Sequence, residues 1–98
     1  MKVSEVTVDD LAGYARLDDP SAIEKKELAE MKSRAIAYIK SYTGLSLEEL
    51  DKHEEIVQAL YIIVMDMFDN RNLYIEGRES NENKAVKAIL AMHSVNLL

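Results

Sequence analysis

The chain has 98 residues, of which 48% are hydrophobic and 31% charged, which is the composition of a single folded domain over residues 1–98. Its net charge of −6 disfavours a general nucleic-acid binder and a protein that docks on anionic membranes. The absence of cysteine excludes disulfides and thiolate metal sites. Residues 1–11 lack the apolar run of a signal peptide, so export is not expected.

Local capping signals predict the first two helices. Thr7 is a suitable N-cap for a short helix over about residues 7–16. The Asp-Pro pair at residues 19–20 is typical of a helix start and predicts a second helix over about residues 20–43. Gly44 is suited to end that helix in the left-handed conformation. At about 1.5 Å per residue, such a helix is nearly as long as a domain of this size is wide, so one end is expected to project.

The most apolar part of the chain follows a Ser-x-x-Glu capping box, which predicts a short turn of helix near residues 46–49. The third of the main helices is long and is predicted over about residues 50–75. Its apolar run from Glu55 to Phe68 is shorter than the roughly 20 residues that span a bilayer. A helix this apolar must be covered on most sides, so we interpret it as the central core helix.

A last helix over about residues 83–92 completes the predicted architecture, an all-α bundle of four helices with the short capping turn. No segment of any length has the alternating pattern of a strand. The sequence also lacks a glycine-rich phosphate loop and a nucleophile with an identifiable base, so no enzymatic activity is expected.

The two histidines, His53 and His93, lie 40 positions apart. No further histidine or cysteine is present to complete a metal site, which needs converging ligands. We interpret both as structural residues and expect neither a metal nor another cofactor.

Four acidic residues permit an alternative. Glu27, Glu30, Glu48 and Asp51 are spaced like the paired acidic motifs of all-α nucleotide pyrophosphohydrolases, in which four carboxylates hold Mg²⁺. In a hairpin of the second and third helices the two pairs would lie roughly 15 Å or more apart, which favours a solvated acidic face. A helix-turn-helix around residues 43–46 is disfavoured because the residues after the turn are acidic and would repel DNA phosphates.

Three motifs occur in order along the chain: Val-Thr-Val-Asp-Asp-Leu with Tyr-Ala-Arg-Leu-Asp near the start, Tyr-Ile-x-x-Tyr-Thr-Gly at residues 38–44, and Asp-Asn-Arg at residues 69–71. Together with the closing segment at residues 88–98, they cover nearly the whole chain. In this order they resemble the head–tail connector, or portal adaptor, family of tailed phages and prophages.

The resemblance implies a structural virion component without catalysis, synthesised in the cytoplasm of a bacterial host and located at the head–tail junction of the virion. Such proteins form a homo-oligomeric ring under the portal protein, extend the DNA channel and dock stopper or tail-completion proteins. DNA passes through the channel without sequence-specific binding, and no membrane is involved.

The residues expected at contacts between copies or with the portal are two tyrosines, the end of the central helix and the last two leucines: Tyr38, Tyr42, Asp69, Asn70, Arg71, Leu97 and Leu98. Two other functions stay open at this point. One is the Mg²⁺-dependent nucleotide pyrophosphohydrolase, and the other is a helical protein-interaction module with no role in a virion.

Overall fold

The computed structural model describes residues 1–70 and 84–93, and every regular element in these ranges is helical. A 3-10 helix at Val3–Glu5 precedes five α-helices: α1 (Val8–Tyr14), α2 (Ala22–Thr43), α3 (Leu47–Leu50), α4 (Glu55–Asp69) and α5 (Lys84–His93). The predicted all-α class is confirmed. No helix in the described ranges combines the length and the apolar character needed to cross a membrane.

The core is built around α4, which packs against α2, α5, α1 and the 3-10 helix. The buried residues of α4 occupy more than one side of the helix: Ile56, Ala59, Leu60, Ile63, Val64 and Met67. Its other large apolar residues are partly buried and pack against the same core. The elements on either side of α4 therefore give this apolar helix the cover that it requires.

A compact connection joins α2 to α4. Gly44 ends α2 with a φ of 75°, the left-handed conformation that glycine adopts without steric cost. Beside it, the buried Thr43 hydroxyl donates to the Ile39 carbonyl at 2.7 Å and accepts from the Leu45 N–H at 3.2 Å. The predicted capping box at Ser46–Glu49 is present and starts α3. The local signals at this connection thus act as the sequence predicts.

The predicted start of α2 at Asp19 and Pro20 is wrong. The N-cap is Ser21, whose hydroxyl accepts from the Glu24 N–H at 3.1 Å, while the Glu24 carboxylate accepts from the Ser21 N–H at 3.0 Å. This reciprocal box satisfies two backbone donors, whereas an aspartate cap alone would satisfy one. Asp19 instead lies in the turn before the helix with a positive φ of 50°.

The chain leaves α1 earlier than predicted, at Tyr14 instead of residue 16. Arg16 has a φ of 59° and its N–H donates to the Gly13 carbonyl at 3.1 Å. The N–H of Leu17 donates to the Ala12 carbonyl at 3.0 Å. These two bonds close the helix as glycine-ended helices do, with arginine in the left-handed position.

The central helix begins at Glu55 rather than near residue 50. Before it, the Asp51 carboxylate accepts two hydrogen bonds from Ser4. At the other end α4 stops at Asp69 with Asn70 as its C-cap. The remainder of the predicted helix, residues 71–75, lies outside the described residues.

The first turns of α2 extend beyond the core. Leu28 is the first buried residue of the helix, and Ile23 leaves 73% of its surface exposed. The six residues before Leu28 correspond to about 9 Å of helix at 1.5 Å each. We call Ala22–Glu27 the α2 extension.

Candidate functional site

The tyrosines of the predicted interface lie together on α2. The rings of Tyr38 and Tyr42 are 6.1 Å apart between centroids and inclined by 33°. Both side chains are partly buried and pack against the core. Their positions fit residues at the edge of the core, and their role in contacts between copies stays a prediction.

The end of α4 is fixed by its own cap. Asn70 donates from Nδ2 to the Asp66 carbonyl at 3.1 Å and to the Asp66 carboxylate at 3.0 Å. Asp69 is exposed beside it. This end lies at the opposite end of the α2–α4 hairpin from Tyr42, so the structure does not gather the predicted residues into one site. Arg71, Leu97 and Leu98 lie outside the described residues.

The four carboxylates of the hydrolase alternative are not brought together. Glu27 and Glu30 lie in the N-terminal half of α2, and Glu30 is 13 residues, or about 20 Å of helix, from the end of α2 at Thr43. Glu48 follows that end on α3. Asp51 is bound to Ser4 at the 3-10 helix. In residues 1–70 and 84–93, no acidic quartet that could hold Mg²⁺ is found.

An aromatic patch lies where α1 meets α4. Tyr14 and Tyr61 stack with 4.8 Å between ring centroids and planes inclined by only 8°. The Tyr61 hydroxyl approaches the Met1 sulfur at 3.9 Å. Burial, with smaller contributions from Asp10 and Tyr14, raises the pKa of Tyr61. Tyr14 and Met1 remain substantially exposed, so this patch of Met1, Tyr14 and Tyr61 presents aromatic surface to solvent.

The histidines converge on one carboxylate. His93 Nε2 lies 2.7 Å from Glu55 Oε1, and the rings of His93 and His53 are 4.2 Å apart between centroids. One ligand atom from each residue lies within 4.8 Å of the others. Among the described residues, this histidine–glutamate cluster is the only group of three or more potential metal ligands that converges. The two histidine rings are thus neighbours despite their separation of 40 positions in the sequence, and their interpretation as structural residues stays a prediction.

The backbone of all three residues is fixed by hydrogen bonds or by a position at a helix end. The His53 N–H donates to the Leu50 carbonyl at 3.0 Å, and the His53 carbonyl accepts from the Ile56 N–H at 3.1 Å. Glu55 is the first residue of α4 and His93 the last residue of α5. Because α5 is held in the core by Val86 and Leu90, the position of His93 relative to α4 is set by core packing.

The electrostatics of the cluster favour a charged Glu55. The backbone N–H of Glu55 itself and the hydrogen bond from His93 lower the pKa of its carboxyl, although partial burial opposes them. The His93 side chain is 11% exposed and that of Glu55 is 50% exposed. A carboxylate only accepts hydrogen bonds, so His93 donates from Nε2. Solvent can therefore reach an ionised acid paired with a largely buried imidazole.

Sequence reasoning missed this cluster because its third member is supplied by tertiary structure. The local His-x-Glu spacing of His53 and Glu55 at a helix start is visible in the sequence. The approach of His93 depends on α5 running back along α4, which no local pattern specifies.

Comparisons with models of protein families, with curated proteins and with solved structures found no match for this chain.

Proposed function

We propose that the protein is a structural component of the head–tail junction of a tailed phage or prophage, where copies form a ring under the portal protein. The observation that carries the proposal is the order of the three motifs along the chain, each quoted above from its residues. An all-α domain is compatible with that resemblance. The structure bears on the proposal through the surfaces that a subunit offers to its neighbours.

The α2 extension supports assembly. It carries Ile23, an isoleucine that a monomer leaves largely exposed, among charged neighbours at the end of the longest described helix. In a closed ring each subunit contacts the next through two different surfaces. A helix end that extends past its own core provides one such surface without disturbing the fold.

The aromatic patch is suited to be the second surface. Aromatic residues and methionine are enriched in protein interfaces, and tyrosines bury a large area at a small cost in side-chain entropy. Tyr14 and Tyr61 are already stacked, so their orientation requires little ordering on contact. We assign the ring contact to the α2 extension of one copy and the aromatic patch of the next.

The acidic balance supports a passage for DNA. A net charge of −6 per chain gives a ring a large negative charge, and the part that faces the channel would repel phosphates. DNA then passes without being retained, as a channel requires. The portal protein and a stopper or tail-completion protein would bind the two faces of the ring.

The test is sedimentation velocity over a concentration series, alone and with a portal protein from the same genome, with negative-stain microscopy of the assembled species. We expect rings, and we expect Ile23→Lys to abolish them because it places a charge in the contact. Met92→Lys is the matched control, since Met92 is 77% exposed and lies at the other end of the α2–α4 hairpin. Monomers under every condition, with and without portal protein, would contradict the proposal.

A parallel assay of nucleotide turnover with Mg²⁺ addresses the hydrolase alternative. We expect no turnover, because the structure leaves the two acidic pairs far apart along α2 and α3. Turnover that disappears in Glu48→Ala would replace the connector proposal with an enzyme. Binding of a different protein by a strictly monomeric chain would favour an interaction module.

A further inference from the structure

We propose that His53, Glu55 and His93 bind a divalent first-row transition metal, and that Zn²⁺ is the ion they fit best. The proposal rests on the convergence of the three side chains and is independent of the ring. It assigns to both histidines a role that their separation in the sequence conceals.

The donor set selects the class of metal. Two imidazoles and one carboxylate form one of the three-ligand sets that proteins use for zinc, with water in the fourth position. Mg²⁺ and Ca²⁺ prefer sites made of oxygen ligands alone. Imidazole nitrogens also suit copper and nickel, and protein sites discriminate among these ions by geometry and availability more than by affinity. The site is therefore one for zinc-like ions and not for alkaline-earth ions.

The geometry requires only small adjustments. Zinc holds nitrogen and oxygen ligands at about 2.0–2.2 Å, so two tetrahedral ligands lie about 3.4 Å apart. His93 and Glu55 must open from 2.7 Å, and the widest pair must close from no more than 4.8 Å. His53 precedes α4 and Glu55 is half exposed, so side-chain rotation can supply these movements. Helix packing need not change.

Metal binding replaces the hydrogen bond between His93 and Glu55 by an ion that both side chains coordinate. When the ion takes the place of the proton on His93 Nε2, between the imidazole and Glu55, the neutral ring carries its single proton on Nδ1, because a metal-ligating nitrogen must be unprotonated. Exposure of Glu55 gives the ion and its water a path from solvent.

The consequence for the molecule is a cross-link between the loop before α4 and the last residue of α5. An ion that binds only the folded chain stabilises it by mass action. A site closed by His93 would also fix the point from which residues 94–98 continue. The metal would thus act as a structural clamp at one end of the bundle.

The experiment is isothermal titration of the metal-free full chain with ZnCl₂, followed by thermal unfolding with and without the ion. We expect one Zn²⁺ per chain and a higher unfolding midpoint in its presence. His53→Gln and His93→Gln should each weaken Zn²⁺ binding by more than about tenfold, the loss that even an outer partner of a ligand can cause. Glu48→Gln, an exposed acid outside the cluster, should bind like the unaltered chain.

A readout on the unaltered protein guards against variants that fail to fold. The chain has only 2 histidines, so every imidazole signal in a nitrogen-15 spectrum reports on this cluster. We expect both rings to shift together and saturate at one equivalent of Zn²⁺. Absence of stoichiometric binding, or binding that leaves either imidazole unchanged, would overturn the proposal. Equal Zn²⁺ affinity in folded His53→Gln or His93→Gln would do the same.

Discussion

Ser4 binds both carboxylate oxygens of Asp51. The Ser4 N–H donates to Oδ1 at 2.9 Å and its hydroxyl donates to Oδ2 at 2.6 Å, across 47 positions of sequence. These bonds, the hydroxyl first and the backbone second, lower the pKa of Asp51 below its ordinary value of 3.8. Asp51, the C-cap residue of α3, therefore joins the 3-10 helix to the α3–α4 connection.

Ser4→Ala should make stability less dependent on acid pH. The folded pKa of Asp51 is below the unfolded value of 3.8, so this stabilisation is fully present above that value and is lost as the pH falls through the folded pKa. We expect the variant to unfold at lower urea than the unaltered chain at about pH 6 and to differ much less at about pH 2. Urea denaturation followed by circular dichroism at both pH values measures this.

The control for this measurement is Ser33→Ala, the same change at an exposed position of α2. Its effect on stability should be the same at both pH values, because no carboxylate bond is removed. A Ser4→Ala effect that stays constant with pH would show that Asp51 does not titrate through this contact.

Ser21→Ala should lower the free energy of unfolding by about 1 kcal/mol, the usual value of an N-cap hydroxyl. The loss follows because the Glu24 N–H would lose its acceptor at 3.1 Å. Ser33→Ala serves again as the comparison, and there the better helix propensity of alanine should raise stability by a few tenths of a kcal/mol, or about 0.5 at most. Chemical denaturation of both variants measures the change in the free energy of unfolding, which should be negative for Ser21→Ala and positive for Ser33→Ala. Equal changes would argue against Ser21 as the cap.

Gly13→Ala should raise the free energy of unfolding by about 0.5–1 kcal/mol. Gly13 is exposed within α1, and a β-carbon built on it meets nothing within 4 Å. Alanine would therefore restrict the unfolded chain without a clash in the folded one. The unfolding midpoint in urea is the measurement, and a decrease would indicate that α1 needs the freedom of glycine.

Arg16→Gly should also stabilise the protein, by roughly 0.5–1 kcal/mol. A left-handed conformation costs an ordinary residue about 1–2 kcal/mol, and glycine avoids this cost. Part of the gain is lost because glycine makes the unfolded chain more flexible. The positive φ of 59° at Arg16 is the basis. Arg16→Ala keeps the steric cost and removes the side chain, so it separates conformation from charge. Equal stability of Arg16→Gly and Arg16→Ala would refute the conformational explanation.

The features predicted correctly are those decided by neighbouring residues. Thr7 caps α1 and Gly44 ends α2 because each interaction closes within three or four residues. The start of α2 was predicted incorrectly because two capping signals lie close together there. The Asp-Pro pair and the Ser21–Glu24 box compete within a few residues, and the box satisfies more backbone donors.

The features that sequence reasoning missed are made by residues distant in the chain. The Asp51 carboxylate accepts from Ser4 and the Glu55 carboxylate from His93, and neither partner is visible in the residues adjacent to the acid. The hairpin geometry was sufficient to predict that Glu27 and Glu30 lie far from Glu48. It was not sufficient to place α5, whose return along α4 creates the histidine–glutamate cluster.

The burial of α4 has a consequence for how the molecule opens. The 3-10 helix, α1, α2 and α5 all pack on α4, and Ala59, Leu60 and Val64 have no exposed surface. None of the elements that pack on α4 can leave without exposing part of this helix to water, which links their separation to the loss of the core of the described residues. The amide hydrogens of Leu60 and Val64 should therefore exchange with deuterium only when the entire chain unfolds.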